Sequence, residues 1–464
     1  MKDEHKLKIN RIFSGAALAL FASLSMAFSG VGTVHAAEKT TIKLAFSKDY
    51  LPATPELQMG WMQGIKSGFE KENPGVTVEL IPIQAGYDDL VTKMSLMLSS
   101  SGQTPDVAQI PAQQTGEWAA NGLLAPLDGK LGTAGWWSQV AAPVQAEGRV
   151  GGKVYAVSEG VNTSALYYNI DIFKKAGIAT PWQPKNWQDI LSAAEKIKKS
   201  QPNVYPVFIA AGTAGGSQGL MLGGLNLLAT SSDPTIYDEK SGKWVVDSKG
   251  LRETLGLFQK LSAEGLFAPA SQILNANATG NFSAALKTGN VGIMLGGNYV
   301  ASSFSKGICS PCWPDASQHL GLAPLPTSKG QAPGVGSAFG GWSLVIAKKS
   351  AHPDLAWKLI DFMQRKNNIL GELFVNGFVP PIPAYMNEPA YVNMAPQYQI
   401  EFAKLLPLSK SAPPQPAYPV WAYALNQAIE TVILKPATPI DSVVNQMKSY
   451  VAAQISADKV AVQP

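Results

Sequence analysis

Segments with strand-like and helix-like patterns alternate through the N-terminal part of the sequence, and this alternation restricts the possible folds. Three segments read as strands, namely residues 41–46 (TIKLAF), 76–83 (VTVELIPI) and 105–110 (PDVAQI). Between them, the apolar side chains of residues 57–69 and 90–98 recur every three or four positions, as in amphipathic helices. Strands that alternate with helices form a mainly parallel sheet with helices on both faces. We therefore predict an α/β fold.

The alternation starts again after a glycine-rich connection. Residues 154–157, 164–168 and 204–211 are strand-like, and apolar stripes at 425–432 and 444–451 indicate two helices near the C-terminus. The chain has 464 residues, more than the roughly 250 to 300 at which a single hydrophobic core stops growing. We therefore expect two lobes rather than one.

The composition excludes several classes of protein. Hydrophobic residues make up 46% of the chain and charged residues 15%, which is typical neither of a disordered chain nor of a coiled coil. The 37 Lys and Arg residues against 33 Asp and Glu leave a net charge of +4, with no basic run. Nucleic acid is therefore not expected as a partner.

The first residues have the pattern of a signal peptide. Basic residues precede an apolar run at 12–26, and Val34 and Ala36 are small residues at the positions that cleavage after Ala36 requires. We predict that residues 1–36 are removed on export, with an uncleaved membrane anchor as the alternative. Since no cysteine lies near the cleavage site to carry a lipid, a free periplasmic protein is expected.

Cys309 and Cys312 are the two cysteines of the chain. Their spacing resembles a redox motif, but the neighbouring glycine and prolines do not form the strand and helix that surround such a site. In an oxidising compartment we expect a disulfide that closes one short loop. After cleavage, His319 and His352 are the remaining histidines, so no metal site is expected, and no cofactor.

Several longer segments point to a known family through their order and spacing. They are PDV at 105–107, NGLLAPLD at 121–128, GKVYAV at 152–157, ALYYNIDIFKKAGI at 165–178, NWQDI at 186–190, FSAALKTGNVGIMLGGNY at 282–299, GGWSLVIAKKSAHPDLAWKLIDFM at 340–363 and NGFVPPIPA at 376–384. Together they resemble the bacterial family 1 extracellular solute-binding proteins of ABC importers, which include maltose- and trehalose-binding proteins.

The resemblance implies a two-lobed type II periplasmic-binding-protein fold, in which each lobe is a mainly parallel sheet flanked by helices and the ligand binds between the lobes. The first lobe would comprise residues 37–160 and 338–380, and the second residues 161–337 and 381–464. It also implies a function without catalysis: a monomer captures a sugar (a mono- or oligosaccharide) or a polyol by hinge closure. The captured ligand then passes to an ABC permease at the inner membrane.

Positions that match the family suggest ligand contacts. The candidates are Asp49, Gln113, Gln114, Asn162, Gly297, Tyr299, Gly341, Trp342 and Trp421. Tyr299 and Trp421 match positions where relatives carry an aromatic side chain that stacks on a sugar ring. Packing in the core is the alternative for both. Gly341 permits close approach of the backbone next to Trp342.

The polar candidates argue against maltose itself. Gln113 and Gln114 lie where maltose-binding relatives have an acidic and a basic contact, and Asn162 lies where they have Glu, yet all three are uncharged amides here. Asp49 follows the first strand and could accept hydrogen bonds from paired hydroxyl groups, or else cap a helix.

Two other functions remain open from the sequence. The glycine-rich tract at 212–224 leaves a sugar phosphate or another polar solute possible as the ligand, although the tract lacks the Gly-Lys-Ser/Thr ending of a P-loop. The enzymatic alternative is a secreted carbohydrate-active hydrolase with two opposed carboxylates, for which the sequence has no supporting motif.

Overall fold

The computed structural model describes residues 39–48, 54–215, 220–302, 304, 313–393 and 396–463. Its strands are β1 (Thr40–Ser47), β2 (Val76–Ile83), β3 (Val107–Pro111), β4 (Arg149–Val150), β5 (Lys153–Val154), β6 (Ala156–Asn169), β7 (Tyr205–Ile209), β8 (Tyr237–Asp238), β9 (Lys243–Ser248), β10 (Val291–Gly297), β11 (Leu320–Ala323), β12 (Leu325–Pro326), β13 (Val335–Ile346), β14 (Ser409–Ser411) and β15 (Val460–Gln463).

The α-helices surround these strands. They are α1 (Pro55–Glu72), α2 (Tyr87–Ser99), α3 (Thr115–Ala120), α4 (Asp128–Leu131), α5 (Ala142–Glu147), α6 (Ile170–Lys175), α7 (Trp187–Ser200), α8 (Leu225–Thr230), α9 (Lys249–Ala263), α10 (Ala270–Ile273), α11 (Ala278–Lys287), α12 (Asn298–Ser302), α13 (Ala316–His319), α14 (Pro353–Met363), α15 (Lys366–Asn376), α16 (Pro389–Val392), α17 (Pro396–Leu405), α18 (Tyr418–Leu434) and α19 (Ile440–Ile455). The helices predicted near the C-terminus are confirmed as α18 and α19.

The N-terminal strands form the parallel arrangement that the alternating pattern predicted. β1 pairs in parallel with β2 on one side and with β3 on the other, and α1 and α2 supply the crossovers. The main sheet has the strand order β2, β1, β3, β13, β6, β10, β7. Parallel strands of this kind direct their carboxyl ends to one edge, where loops can form a binding site.

Helix α1 begins and ends at signals that are visible in the sequence. The hydroxyl of Thr54 accepts a hydrogen bond from the backbone N–H of Leu57 at 3.3 Å, which satisfies one of the free N–H groups of the first turn. The buried stripe differs from the predicted one: Gln58 and Met62 are buried, whereas Leu57 and Trp61 are only partly buried. A helical face with a buried Gln cannot be recognised from apolar spacing alone.

The long strand β6 connects the part of the main sheet that contains β1–β3 and β13 with the part that contains β10 and β7. The sequence predicted separate strands at 154–157 and 164–168, but β6 runs without a break from Ala156 to Asn169. Its first part pairs antiparallel with β13, and its last part pairs antiparallel with β10 and β11. The polar stretch between the two predicted strands belongs to the sheet because neighbouring strands pair with its backbone.

The second part of the sheet continues from β6. There, β10 pairs in parallel with β7, while β8, β9 and β15 form a separate small sheet. Helices α18 and α19 pack against each other and against α9 and β9. In the described part of the chain, no helix has both the length and the apolar character needed to span a bilayer.

Candidate functional site

The register of the sheet places several candidate residues in one row. Trp342 of β13 lies between Pro111, the last residue of β3, and Gly160 of β6. Beside it, Gly341 pairs with Val161 and Gly340 pairs with Asn162. Gln113 and Gln114 follow β3 directly, in a single helical turn (Ala112–Gln114). The structure therefore brings together candidates that are about 230 residues apart in sequence.

Close contacts explain the two glycines before Trp342, with backbone at Gly341 and with a side chain at Gly340. A Cβ atom at Gly341 would lie 2.1 Å from the carbonyl oxygen of Gly160, and one at Gly340 would lie 2.8 Å from Cε of Met221. Both distances are too short for a side chain unless neighbouring atoms move. Met221 lies in the C-terminal end of the glycine-rich tract, Leu220–Gly224, so this end packs over the middle of β13.

The row continues along β6 to β10. Ser164 pairs with Gly297, and Tyr299 follows two residues later at the start of α12. Burial raises the pKa of the Tyr299 hydroxyl, which therefore stays protonated at neutral pH. The side chain of Asn162 is half-buried, and its Oδ1 atom has no hydrogen-bond partner among the described residues. The amide of Asn162 thus lies on β6, and the phenol of Tyr299 follows β10, the strand that pairs with β6.

Gln113 has a partner that the sequence did not indicate. Its Nε2 donates a hydrogen bond to the hydroxyl of Tyr87, the first residue of α2. Tyr87 follows the carboxyl end of β2 by a short loop. An aromatic residue in that position was the available signal, because loops after parallel strands form the ligand-facing edge of such sheets.

A segment near the C-terminus packs onto the same region. A Cβ atom at Gly116 would lie 2.7 Å from the carbonyl carbon of Pro414 and 2.9 Å from the backbone nitrogen of Gln415, so these two residues lie directly against α3. Tyr418 is 2% exposed. Its pKa is raised mainly by burial and further by the nearby Tyr87 and Glu147. Burial also raises the pKa of the Glu147 carboxyl to about 8, so Glu147 is mainly uncharged at neutral pH.

Trp421 lies in the core, which is the alternative that the sequence left open. Its side chain has 0% exposed surface, and its indole N–H donates a hydrogen bond to the carbonyl oxygen of Val245 at 2.7 Å. The rings of Trp244 and Tyr418 stack on it, with centroid distances of 6.3 Å and 6.4 Å. The structure does not bring Trp421 into the row of candidates.

Three candidate residues lie outside the described residues, namely Asp49, Cys309 and Cys312. Of the described candidates, Gln114 and Trp342 are buried, with 7% and 5% of their surface exposed, whereas Gln113 is half-buried. The row therefore offers uncharged donors and acceptors next to aromatic rings. Such groups bind a ligand by hydrogen bonds and ring contacts, and they supply no evident nucleophile or acid–base pair.

The long strands β6 and β13 pair in the middle of the main sheet, and uncharged polar and aromatic side chains lie on and beside them. This arrangement is typical of a ligand-binding protein. A model of the family described as bacterial extracellular solute-binding protein matches residues 52–368. A binding protein of Brucella abortus (strain 2308) is 24% identical over 388 residues, which is 82% of this chain and 86% of that protein.

Two solved structures are similar in fold. An ABC transporter solute-binding protein of Thermotoga lettingae bound with α-D-tagatose matches with a TM-score of 0.72 and 19% identity, over 89% of this chain and 99% of that chain. The cyclic α-maltosyl-1,6-maltose binding protein of Arthrobacter globiformis has a TM-score of 0.73 at 16% identity, over 90% and 99% of the two chains.

The chain belongs to the family of bacterial extracellular solute-binding proteins. It has the type II periplasmic-binding-protein fold, as the sequence predicted, and it is the solute-binding component of an ABC transporter.

Proposed function

We propose that the protein captures an uncharged sugar or polyol between two lobes, closes around it and delivers it to an ABC permease without changing it chemically. The observation that carries this proposal is the row from Gln113 through Trp342 and Asn162 to Tyr299. It combines amide groups, a phenol and an indole where β3, β13, β6 and β10 pair with one another. Sugars need hydrogen-bonding groups for their hydroxyls and flat apolar surfaces for their rings.

The backbone pairing supports a hinge at this row. Val161 pairs with Gly341 of β13 and exchanges two backbone hydrogen bonds with Val379, of 2.8 Å and 3.0 Å. The lobe boundaries expected from the sequence are at 160/161, 337/338 and 380/381. They fall in β6, in β13 and next to Val379, respectively. At these three places the chain passes from one lobe to the other, and bending there would move the lobes as rigid bodies. One lobe would be residues 37–160 with 338–380, and the other residues 161–337 with 381–464.

The charge of the row favours a neutral ligand over a sugar phosphate. Gln113, Asn162 and Tyr299 carry no charge at neutral pH, and Glu147 is mainly protonated below a pH of about 8. A phosphate would need charge-assisted donors to offset its loss of hydration. The tagatose bound to the solute-binding protein of T. lettingae also supports a sugar ligand.

A thermal-shift screen with neutral sugars, polyols and sugar phosphates tests the proposal. A ligand that binds the folded state raises its stability by RT ln(1 + [L]/Kd), so at least one neutral compound should raise the melting temperature. In calorimetry with that compound, Gln113→Ala should weaken binding several-fold, about the value of one hydrogen bond. The matched control is Gln446→Ala, at an exposed position of α19.

Other results would contradict the proposal. A shift seen only with phosphorylated compounds would overturn the neutral ligand. Conversion of the ligand at a rate proportional to protein concentration would overturn binding without catalysis, in favour of the hydrolase. A small-angle scattering profile unchanged by saturating ligand would exclude closure between lobes.

The export of the chain is part of the proposal. We expect cleavage after Ala36, release as a free monomer in the periplasm, and a disulfide between Cys309 and Cys312. N-terminal sequencing of the secreted protein should begin at Ala37, and light scattering should give the mass of one chain. Mass spectrometry after alkylation without reductant should find no labelled cysteine. Two labelled cysteines would show that the disulfide is absent.

A further inference from the structure

A pair of buried glutamates lies where β6 packs against α15, apart from the candidate ligand contacts. Glu159 of β6 and Glu372 of α15 have 2% and 4% of their surface exposed. Both line a cavity of about 10 Å³, together with Trp61 and Gln364. Apolar side chains line the rest of the cavity, including Ile65 and Leu344. Its volume is at the lower limit for one water molecule, for which the glutamates and Gln364 supply polar partners.

A β-bulge explains why Glu159 faces this cavity. The pairing of β6 with β13 shifts between Trp342 and Ser343: Trp342 pairs with Gly160, whereas Ser343 pairs with Ser158. Glu159 is therefore the extra residue of the bulge, and bulges commonly turn one side chain out of the regular alternation. The same bulge lies beside the three segments that we assign to the hinge.

Each carboxyl group has one oxygen held by an amide. Nε2 of Gln109 donates a hydrogen bond to Oε2 of Glu159 at 2.9 Å, and Nδ2 of Asn376 donates to Oε1 of Glu372 at 2.6 Å. Gln364 is 1% exposed, and its Nε2 donates to the carbonyl oxygen of Ser158 at 2.9 Å. These bonds fix the orientation of all three amides.

The remaining oxygens have too few donors. Oε1 of Glu159 and Oε1 of Gln364 are buried and have no hydrogen-bond partner among the described residues. An unpaired buried acceptor costs about 1 to 3 kcal/mol. Since both residues line the same cavity, one water molecule and one carboxyl proton would supply the donors that these oxygens need.

Electrostatics favours one retained proton. Burial raises the pKa of Glu372 to about 7. Burial, and then the charge of Glu372, raise the pKa of Glu159 well above its ordinary range, while the hydrogen bond from Gln109 opposes this. The indole of Trp61 and the amide of Asn376 act on Glu372 in the lowering direction. No cation is among the described groups that act on either carboxyl.

We propose that Glu159 and Glu372 share one proton and bind one water molecule in this cavity, and that this protonated pair holds the bulge of β6 against α15. When the proton is lost, two carboxylates repel each other across the cavity and the bulge loosens.

Infrared spectroscopy on the unmodified chain tests the shared proton directly. At neutral pH the protein should show the C=O stretch of a buried protonated carboxyl that disappears in the double variant Glu159→Gln, Glu372→Gln. Both substitutions keep the shape of the side chain. Comparing the two proteins in a Glu147→Gln background removes the signal of that other buried acid. An identical carboxyl region in both proteins would overturn the proposal.

The pH dependence of unfolding gives a second test. The folded state keeps a proton that the unfolded state releases, so the contribution of this pair to stability is complete below a pH of about 4.5 and is lost as pH rises toward 7 and above. This decrease should be smaller in the double variant, whereas the exposed control Glu401→Gln should follow the wild type. Equal slopes in wild type and double variant would overturn the shared proton.

A third measurement identifies the occupant of the cavity. High-resolution diffraction should show one water molecule there. Wild-type stability that depends on sodium or potassium at constant ionic strength, with no such dependence in the double variant, would identify a bound cation and overturn the proposal.

Discussion

The backbone N–H of Thr163 donates a hydrogen bond to Oδ1 of Asn298 at 3.0 Å. The same amide donates through Nδ2 to the carbonyl oxygen of Gly377 at 2.5 Å. Asn298 is fully buried and directly precedes Tyr299. One side chain thus connects β6, the turn after α15 and the residue next to Tyr299, a candidate ligand contact, at the segments proposed as the hinge.

Replacing Asn298 should destabilise the fold. Asn298→Ala leaves the buried N–H of Thr163 unpaired, which costs about 1 to 3 kcal/mol. Denaturant unfolding should show this loss, whereas Asn445→Ala, at an exposed position of α19, should change stability by less than about 0.5 kcal/mol. Equal effects of the two substitutions would contradict the assigned role.

Trp421→Ala should act on stability rather than on ligand contact. The substitution removes a fully buried ring and its hydrogen bond to Val245, and a buried Trp truncated to Ala costs about 3 to 5 kcal/mol. Trp421→Phe should cost less, because the ring stack with Trp244 is kept. Unchanged unfolding together with more than tenfold weaker binding would instead place Trp421 in the ligand site, as its match to the family suggested.

Glu147 should make stability depend on pH. Its pKa is about 8 in the folded protein and near the ordinary value in the unfolded chain. Its contribution is complete below a pH of about 4.5 and is lost as pH rises toward 8, by at most about 1.4 kcal/mol per pH unit. Glu147→Gln should flatten the profile between these values. A variant profile parallel to the wild type would show that Glu147 ionises freely.

Two glycine substitutions should have opposite effects. Gly341→Ala places a methyl group 2.1 Å from the carbonyl oxygen of Gly160 and should destabilise the protein by about 1 to 3 kcal/mol or more. Gly256→Ala, within α9 and with nothing within 4 Å of the added Cβ, should stabilise it by about 0.5 to 1 kcal/mol. Thermal unfolding of both variants checks the signs; a stable Gly341→Ala protein would exclude the close strand contact.

Much of the fold follows from local patterns in the sequence. Apolar periodicity predicted β1, β2, β3, α1 and α2, since each of these elements carries its own spacing of buried positions. The segments that carry the candidates Gln113, Asn162 and Trp342 lie next to one another, because β13 pairs with β3, which directly precedes Gln113, and with β6, which carries Asn162. They could be found because the order of the family segments implies one sheet, and a sheet brings the middles of its strands together.

Other features depend on partners far away in the chain. β6 is continuous through a polar stretch because β13 and β10 pair with its backbone, and the bond from Gln113 to Tyr87 joins the ends of two different strands. Gln58 is buried, and its Oε1 accepts a hydrogen bond from the amide of Asn376 at 3.2 Å. None of these partners is signalled by residues nearby in sequence.

The sequence by itself determined the fold class, the order of the early strands and helices, and the family, because periodicity and motif order are properties of the chain alone. Only the tertiary structure decided that Trp421 is a core residue and that Glu159 occupies a bulge facing Glu372. The physical reason is that burial and electrostatic environment depend on the groups packed around a side chain, and here those groups come from segments up to about 200 residues away.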